Sequence, residues 1–151
     1  MIDEIYNRKI LGYAADIPLL RRLDHPDATA VAHSRLCGSK VTVDLKMENG
    51  RVADFGHEVK ACALGQATSS IMARHVVGSS AEELRLLRQR MYAMLKENGP
   101  PPGGRWQELE ALTPVRDFKA RHASTLLTFD AVAEALDKIE GVQHEQVSAG
   151  S

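Results

Sequence analysis

Lys40-Val41-Thr42-Val43-Asp44-Leu45-Lys46-Met47, then Glu48-Asn49-Gly50-Arg51, then Val52 to Ala61, is the stretch that decides the fold. Val41, Val43, Leu45 and Met47 alternate with Thr42, Asp44 and Lys46, the period-two pattern of a strand with one apolar face. Asn49-Gly50 supplies two residues that tolerate positive φ, as a two-residue hairpin turn demands. The returning strand sets Phe55, His57, Val59 and Ala61 on one face and Asp54, Glu58 and Lys60 on the other. The segment Ala28 to Arg35 stands ready to supply a third strand. A small antiparallel three-stranded sheet with one covered face is expected.

Outward from the hairpin the periodicity turns helical. Residues 3 to 12 place Ile5, Ile10 and Leu11 on one side, with Asp3 and Glu4 in the first turn, and read as a short helix. Asp16 to His33 carries Pro18, Pro26 and Asp27 and is expected to be an irregular, mobile connection. After Gly65, the residues Ala67, Ile71, Met72 and Val76 mark a helix ending at Gly78. Ser80-Ala81-Glu82-Glu83 is a capping box for a second helix bearing Leu84, Leu87, Met91 and Leu95, stopped by Gly99 and Pro100-Pro101-Pro102. A Gly/Pro loop with a short turn around Trp106 to Leu112 leads to a last amphipathic helix, Ser124 to Gly141. The order is helix, strands, helices, without βαβ alternation, so the class is α+β, the three-stranded sheet packing against several helices. One domain over residues 1–141 and a disordered tail over 142–151 are expected, the tail having little apolar content.

The chain has 151 residues and a net charge of −1 from 19 Lys+Arg and 20 Asp+Glu. That balance gives no electrostatic case for nucleic acid or an anionic membrane surface. Met1 runs directly into an amphipathic stretch rather than a basic and then apolar leader, and charges interrupt every apolar run well before the roughly 18 residues a span needs. A cytoplasmic location with reduced thiols is expected. There, two cysteines point more to metal or redox chemistry than to a structural disulfide, with burial as small hydrophobes the plain alternative.

Those two are Cys37 and Cys62, 25 residues apart. Cys37 opens Cys37-Gly38-Ser39 just before the first hairpin strand. Cys62 lies in Lys60-Ala61-Cys62-Ala63-Leu64-Gly65, where strand gives way to helix. Unpaired N–H groups and the helix dipole stabilise a thiolate at such a place, which suits a ligand or a nucleophile.

The Ile5-Tyr6 helix, the Cys37-Gly38 turn, Ala61-Cys62-Ala63-Leu64 followed by Ala67-Thr68-Ser69-Ser70-Ile71-Met72, the Gly78-Ser79 pair before the long helix, and Val115-Arg116-Asp117-Phe118-Lys119-Ala120-Arg121 resemble, in this order and spacing, the U-type iron–sulfur cluster scaffolds: IscU, SufU and the N-terminal domain of NifU. The resemblance spans about residues 3 to 140. The inserted segment between Ala81 and Leu112 makes the layout more similar to SufU, and the fold it implies is SufE/NifU-like. It also implies three cysteines and an aspartate holding zinc or a nascent [2Fe-2S] cluster. The first two ligands match Cys37 and Cys62; the aspartate position is Ser39, and the third cysteine falls on Ser124. A serine hydroxyl is a poor substitute for thiolate or carboxylate, so Cys37 and Cys62 alone should hold metal weakly.

His122, beside the third-cysteine region, is a further candidate ligand, set against its reading as a surface histidine at a helix start. His33 and His57 lie along strands and are too far for easy shared ligation. His75 reads as a partner of its helix C-terminus, and Met72, Met91 and Met94 as core. Pro100-Pro101-Pro102 reads as a helix stop and stiff loop. Leu112-Thr113-Pro114-Val115-Arg116 is similar to the chaperone-recognition segment of IscU, with a structural turn preferred.

Three functions follow from the resemblance. The first is a scaffold or carrier receiving sulfur from a cysteine desulfurase and passing iron or a transient [2Fe-2S] cluster to downstream iron–sulfur acceptors or chaperones, a homodimer completing the four-thiolate site. The second is a zinc-dependent sulfur acceptor with Cys62 or Cys37 as nucleophile. The third is a metal-free binding module regulating a desulfurase or another assembly protein. No Gly-rich phosphate loop, Ser/His/Asp order or paired carboxylates can be read, so a substrate-transforming enzyme is not expected.

Overall fold

In the computed structural model the described residues are 4–35 and 38–141, the side chains of 4–6 excepted. Cys37 and the tail 142–151 therefore lie outside the described residues. The elements are α1 (Glu4–Ala15), β1 (Ala28–Ser34), β2 (Ser39–Glu48), β3 (Arg51–Lys60), α2 (Ala63–His75), α3 (Ala81–Lys96), a 3-10 stretch (Gly104–Asp117), a 3-10 turn (Lys119–Arg121) and α4 (His122–Glu140).

The expected α+β architecture is present, with a three-stranded antiparallel sheet ordered β1-β2-β3. Glu48 pairs with Arg51 across the turn, and Asn49 and Gly50 take φ of 55° and 77°, the geometry that their types permit. A register shift between Lys46 and Met47 bends the hairpin near this turn. Val41, Val43, Leu45 and Phe55 are wholly buried under α4 and its neighbours, which is where the alternation aimed them. Met72, Met91 and Met94 join that core as expected.

The other sheet face differs from expectation. Asp44, on the polar side of β2, is completely buried because the connection after α1 folds over it. Its carboxylate accepts from Arg22 Nε at 2.7 Å, Arg22 Nη2 at 3.1 Å, the Leu23 amide at 2.9 Å and Thr29 Oγ1 at 2.5 Å. Farther along β3, the His57 amide donates to Leu19 O at 3.3 Å and its Nε2 lies 2.8 Å from Pro18 O. The connection expected to be mobile is thus an ordered strap across the sheet, held by one buried anion and strand-edge hydrogen bonds. Gly56 makes room for it: a Cβ there would sit 2.4 Å from Arg21 O.

Ser80 caps α3 as its pattern indicates, accepting from the Glu83 amide at 3.1 Å. The Glu83 carboxylate instead takes the Trp106 indole N–H at 2.9 Å, tying α3 to the 3-10 stretch. That stretch is longer than the short turn expected, and buries Trp106, Leu109, Leu112 and Val115 at three-residue intervals. Threefold spacing gave an apolar stripe that the sequence pattern alone did not separate from a loop.

Candidate functional site

The strand-to-helix junction after β3 positions the described thiol. Lys60 ends the strand, Ala61 and Cys62 turn the chain, and Cys62 takes the N-cap position of α2 with extended φ/ψ of −68°/174°. Gln66 secures the junction from inside the helix, its Nε2 donating to Ala61 O at 2.7 Å and its amide to Cys62 O at 2.9 Å. The N-terminus of α4 approaches the same point. Gly65 permits this, since a Cβ there would stand 2.6 Å from Ala61 Cβ and 3.0 Å from Ser124 O.

The approach brings Cys62 Sγ to 3.4 Å from Ser124 Oγ. Ser124 is buried, and its hydroxyl also donates to Arg121 O at 3.2 Å. One hydroxyl proton serves both directions: with a thiol, Ser124 accepts from S–H; with a thiolate, it rotates to donate to sulfur. Burial pushes the Cys62 thiol up, but the Ser124 hydroxyl, the amides of Gly65 and Leu64 and the charge of Arg121 together outweigh that and hold it below the ordinary thiol range. The two amides favour the thiolate without completing a capping hydrogen bond of standard geometry. The half-buried sulfur opens on a cleft of about 340 Å³ lined by Asn7, Ile10, Leu11, Leu64, Phe118 and Arg121.

The remaining expected site residues fall as follows. Ser39 begins β2 and is buried, opposite Ser34 of β1 and one residue before Lys40, which faces Lys60 at the end of β3. His122 is not the surface histidine that its reading as a helix-start residue required. It is 4 % exposed, and its Nε2 lies 3.1 Å from Val115 O and 3.2 Å from Arg116 O, so the ring fastens α4 to the end of the 3-10 stretch. A donor role for Nε2 there leaves only Nδ1 for other partners. His57 and His75 are likewise occupied, His75 Nε2 meeting Glu108 Oε1 at 2.6 Å near the C-terminus of α2. Among the described residues no three His, Cys, Asp or Glu side chains gather as a metal site. Sequence reading missed Arg121 and Gly65 as contributors; Gly65, three residues into the helix after Cys62, was the legible signal of close approach.

A half-buried thiol at the exit of a small antiparallel sheet, at the N-cap of one helix and facing the start of a second, places the chain in a class: an α+β domain with a cysteine at its strand-to-helix junction. The chain belongs to the family described as NifU-like N terminal domain, whose model matches residues 6–146. The chain is similar over its length to the crystal structure of a nitrogen-fixing NifU-like protein (N-terminal) from Brucella abortus, with 60% identity, a TM-score of 0.90, and 93% of this chain and 98% of that one covered. It is 30% identical to the iron-sulfur cluster assembly scaffold protein IscU of Thermotoga maritima, covering 89% of this chain and 94% of that protein. It is 21% identical to the zinc-dependent sulfurtransferase SufU of Bacillus subtilis, over 93% of this chain and 95% of that one.

Proposed function

We propose that this chain is an iron–sulfur cluster assembly scaffold that receives sulfur at Cys62 and carries the growing cluster on Cys62 and Cys37. The observation that carries the reading is the Cys62 sulfur, held in a depressed-pKa setting where β3 meets α2 and open to a cleft. Family membership and the scaffold names of relatives support it.

Sulfur arrival uses the chain's own groups. The Cys62 thiolate attacks the outer sulfur of a persulfide R–S–SH on the donor, the S–S bond to R breaks, and R–S⁻ leaves, so Cys62 becomes the persulfide and no external oxidant is needed. Ser124 and the α2 amides favour the attacking thiolate. A cysteine desulfurase is the donor this chemistry calls for. Iron and sulfide are the cargo: two electrons from an external thiol or electron-transfer reductant break the Cys62 S–S bond, release the outer sulfur as sulfide and restore the Cys62 thiolate, and a [2Fe-2S] cluster takes four thiolates. Two chains each lending Cys37 and Cys62 would supply them, and downstream acceptors would remove the cluster easily because Ser124, not a third thiolate, stands next to Cys62.

A resident zinc fits the described donors less well. The one side-chain partner of the thiol is a neutral hydroxyl, and His122 is committed to backbone carbonyls. The zinc-dependent acceptor is therefore the second reading, supported by the likeness to a zinc-dependent sulfurtransferase.

The test is iron and acid-labile sulfide per chain, with an anaerobic absorption spectrum, after reconstitution of wild type, Cys37→Ser, Cys62→Ser and Ser124→Cys. A visible chromophore at one cluster per two wild-type chains, lost in both serine variants and more persistent against chelator in Ser124→Cys, is expected. Stoichiometric zinc without sulfide would replace the scaffold by the sulfur acceptor; neither metal nor sulfide would leave a binding module.

A further inference from the structure

The strand register lines up three basic side chains at the sheet end that carries the thiol. His33 of β1 faces Lys40 of β2, and Lys40 faces Lys60 of β3. Directly opposed residues in antiparallel strands hold their Cβ atoms about 5 Å apart, where the like charges of Lys40 and Lys60 repel and destabilise the sheet. All three residues are exposed on the face opposite the core, and Arg35 is exposed just beyond β1. Cys62 follows Lys60 by two residues.

Among the described residues, the carboxylates of that face make no ion pair with the row. Asp44 is engaged by Arg22, and Asp54 pairs with Arg21 at 2.8 Å. Glu58 lies opposite Thr42, one step inward, and contributes to the field at Arg22. Among the described residues no ion pair reaches His33, Lys40 or Lys60. Like charges set side by side next to a reactive sulfur break the cross-strand rule that the rest of the face obeys, and a local rule broken without compensation inside the fold points to a compensating group outside it.

We propose that the His33–Lys40–Lys60 row docks an acidic segment of the protein that delivers sulfur to Cys62; this rests on the scaffold reading above. The row spans three strands, roughly 10 Å, and an extended segment places alternate side chains about 7 Å apart, so two or three carboxylates on such a segment match it where a single small anion reaches only part. Docking there sets the donor within two residues of the thiol and gives an association that salt weakens.

The test compares wild type with the double variant Lys40→Glu, Lys60→Glu. A second double variant, Lys40→Gln with Lys60→Gln, covers the case in which charge reversal disturbs folding, and Arg90→Glu with Lys96→Glu on α3 controls for net charge. Two quantities are read: binding of a fluorescently labelled chain to a cysteine desulfurase by anisotropy at several salt concentrations, and the rate of cluster loading with desulfurase plus cysteine, divided by the rate with inorganic sulfide. The Lys40/Lys60 variants should bind about tenfold more weakly or worse, with a flatter salt dependence, and the loading ratio should fall likewise. The α3 control should keep the wild-type ratio. Wild-type affinity in the Lys40/Lys60 variants, equal loss in the α3 control, or loss of sulfide-driven and desulfurase-driven loading in the same proportion would each overturn the docking role. Failure of wild type to load even with sulfide would overturn the scaffold reading instead, and the binding arm alone would then decide the docking role.

Discussion

At the residue scale, the Cys62–Ser124 contact sets the chemistry and Gly65 sets the contact. Removing the hydroxyl in Ser124→Ala takes away a donor to the thiolate, so the Cys62 pKa should rise; alkylation rate against pH in a Cys37→Ser background measures it, and an unmoved midpoint would remove Ser124 from the mechanism. Adding a methyl in Gly65→Ala forces α2 away from Ala61 and Ser124, an overpacking that costs roughly 1–3 kcal/mol and should lower the denaturant midpoint. Cys62 stood out in the sequence because a thiol sits where a strand gives way to a helix; Gly65, in the same stretch, was not read as a contributor. Ser124 entered the site only through the resemblance, as the third-cysteine position; no local pattern brings it to Cys62, because 62 residues separate them. Arg121 was invisible as a contributor for the same reason.

At the element scale, some helix ends carry local chemistry that the sequence displays: Ser80 before α3 and Gly141, in the left-handed conformation, after α4. Ser80 is the clearest case, and Ser80→Ala should cost about 1 kcal/mol by freeing the Glu83 amide, a loss that a thermal melt resolves. The strap after α1 is the opposite case. Its prolines read as irregularity, but its order comes from Asp44, whose partners lie up to 22 residues away. Burial pushes that carboxyl up, while Arg22, Thr29 and the Leu23 amide outweigh it and hold it below the usual range. Asp44→Ala should therefore loosen the strap, leave Thr29 and the Leu23 amide unpaired and cost roughly 2 kcal/mol. Faster amide exchange over residues 16–27, compared with the rest of the domain, would show the loss is local; uniform exchange would contradict the strap role.

At the scale of the whole molecule, α4 and α2 lie on the sheet with α3 and α1 packed against them, and the acid response follows from what this packing and the strap bury. Burial lowers the His57 pKa, the Pro18 carbonyl opposing it, while an unfolded chain titrates near 6.5. The folded group resists protonation, so its contribution is present above about pH 6.5 and is lost as pH falls from there towards the lower folded value. Wild type should lose melting temperature from pH 7.5 to 5.5, and His57→Gln, which keeps a donor for Pro18 O, should flatten that slope; equal slopes would refute the assignment. Asp44, with its lowered pKa, adds a second loss at more acid pH by the same linkage. The sequence by itself determined the α+β class, the hairpin with its Asn49-Gly50 turn, the cap at Ser80 and the thiol at the start of α2, because alternation, turn chemistry and capping act over a few residues. Only the tertiary structure decided that the strap covers Asp44, that His122 is a buried fastener, that the Ser124 hydroxyl stands within hydrogen-bond reach of the Cys62 sulfur and that Lys40 and Lys60 stand side by side. Those are meetings between distant segments, set by register and packing, and no local pattern encodes them.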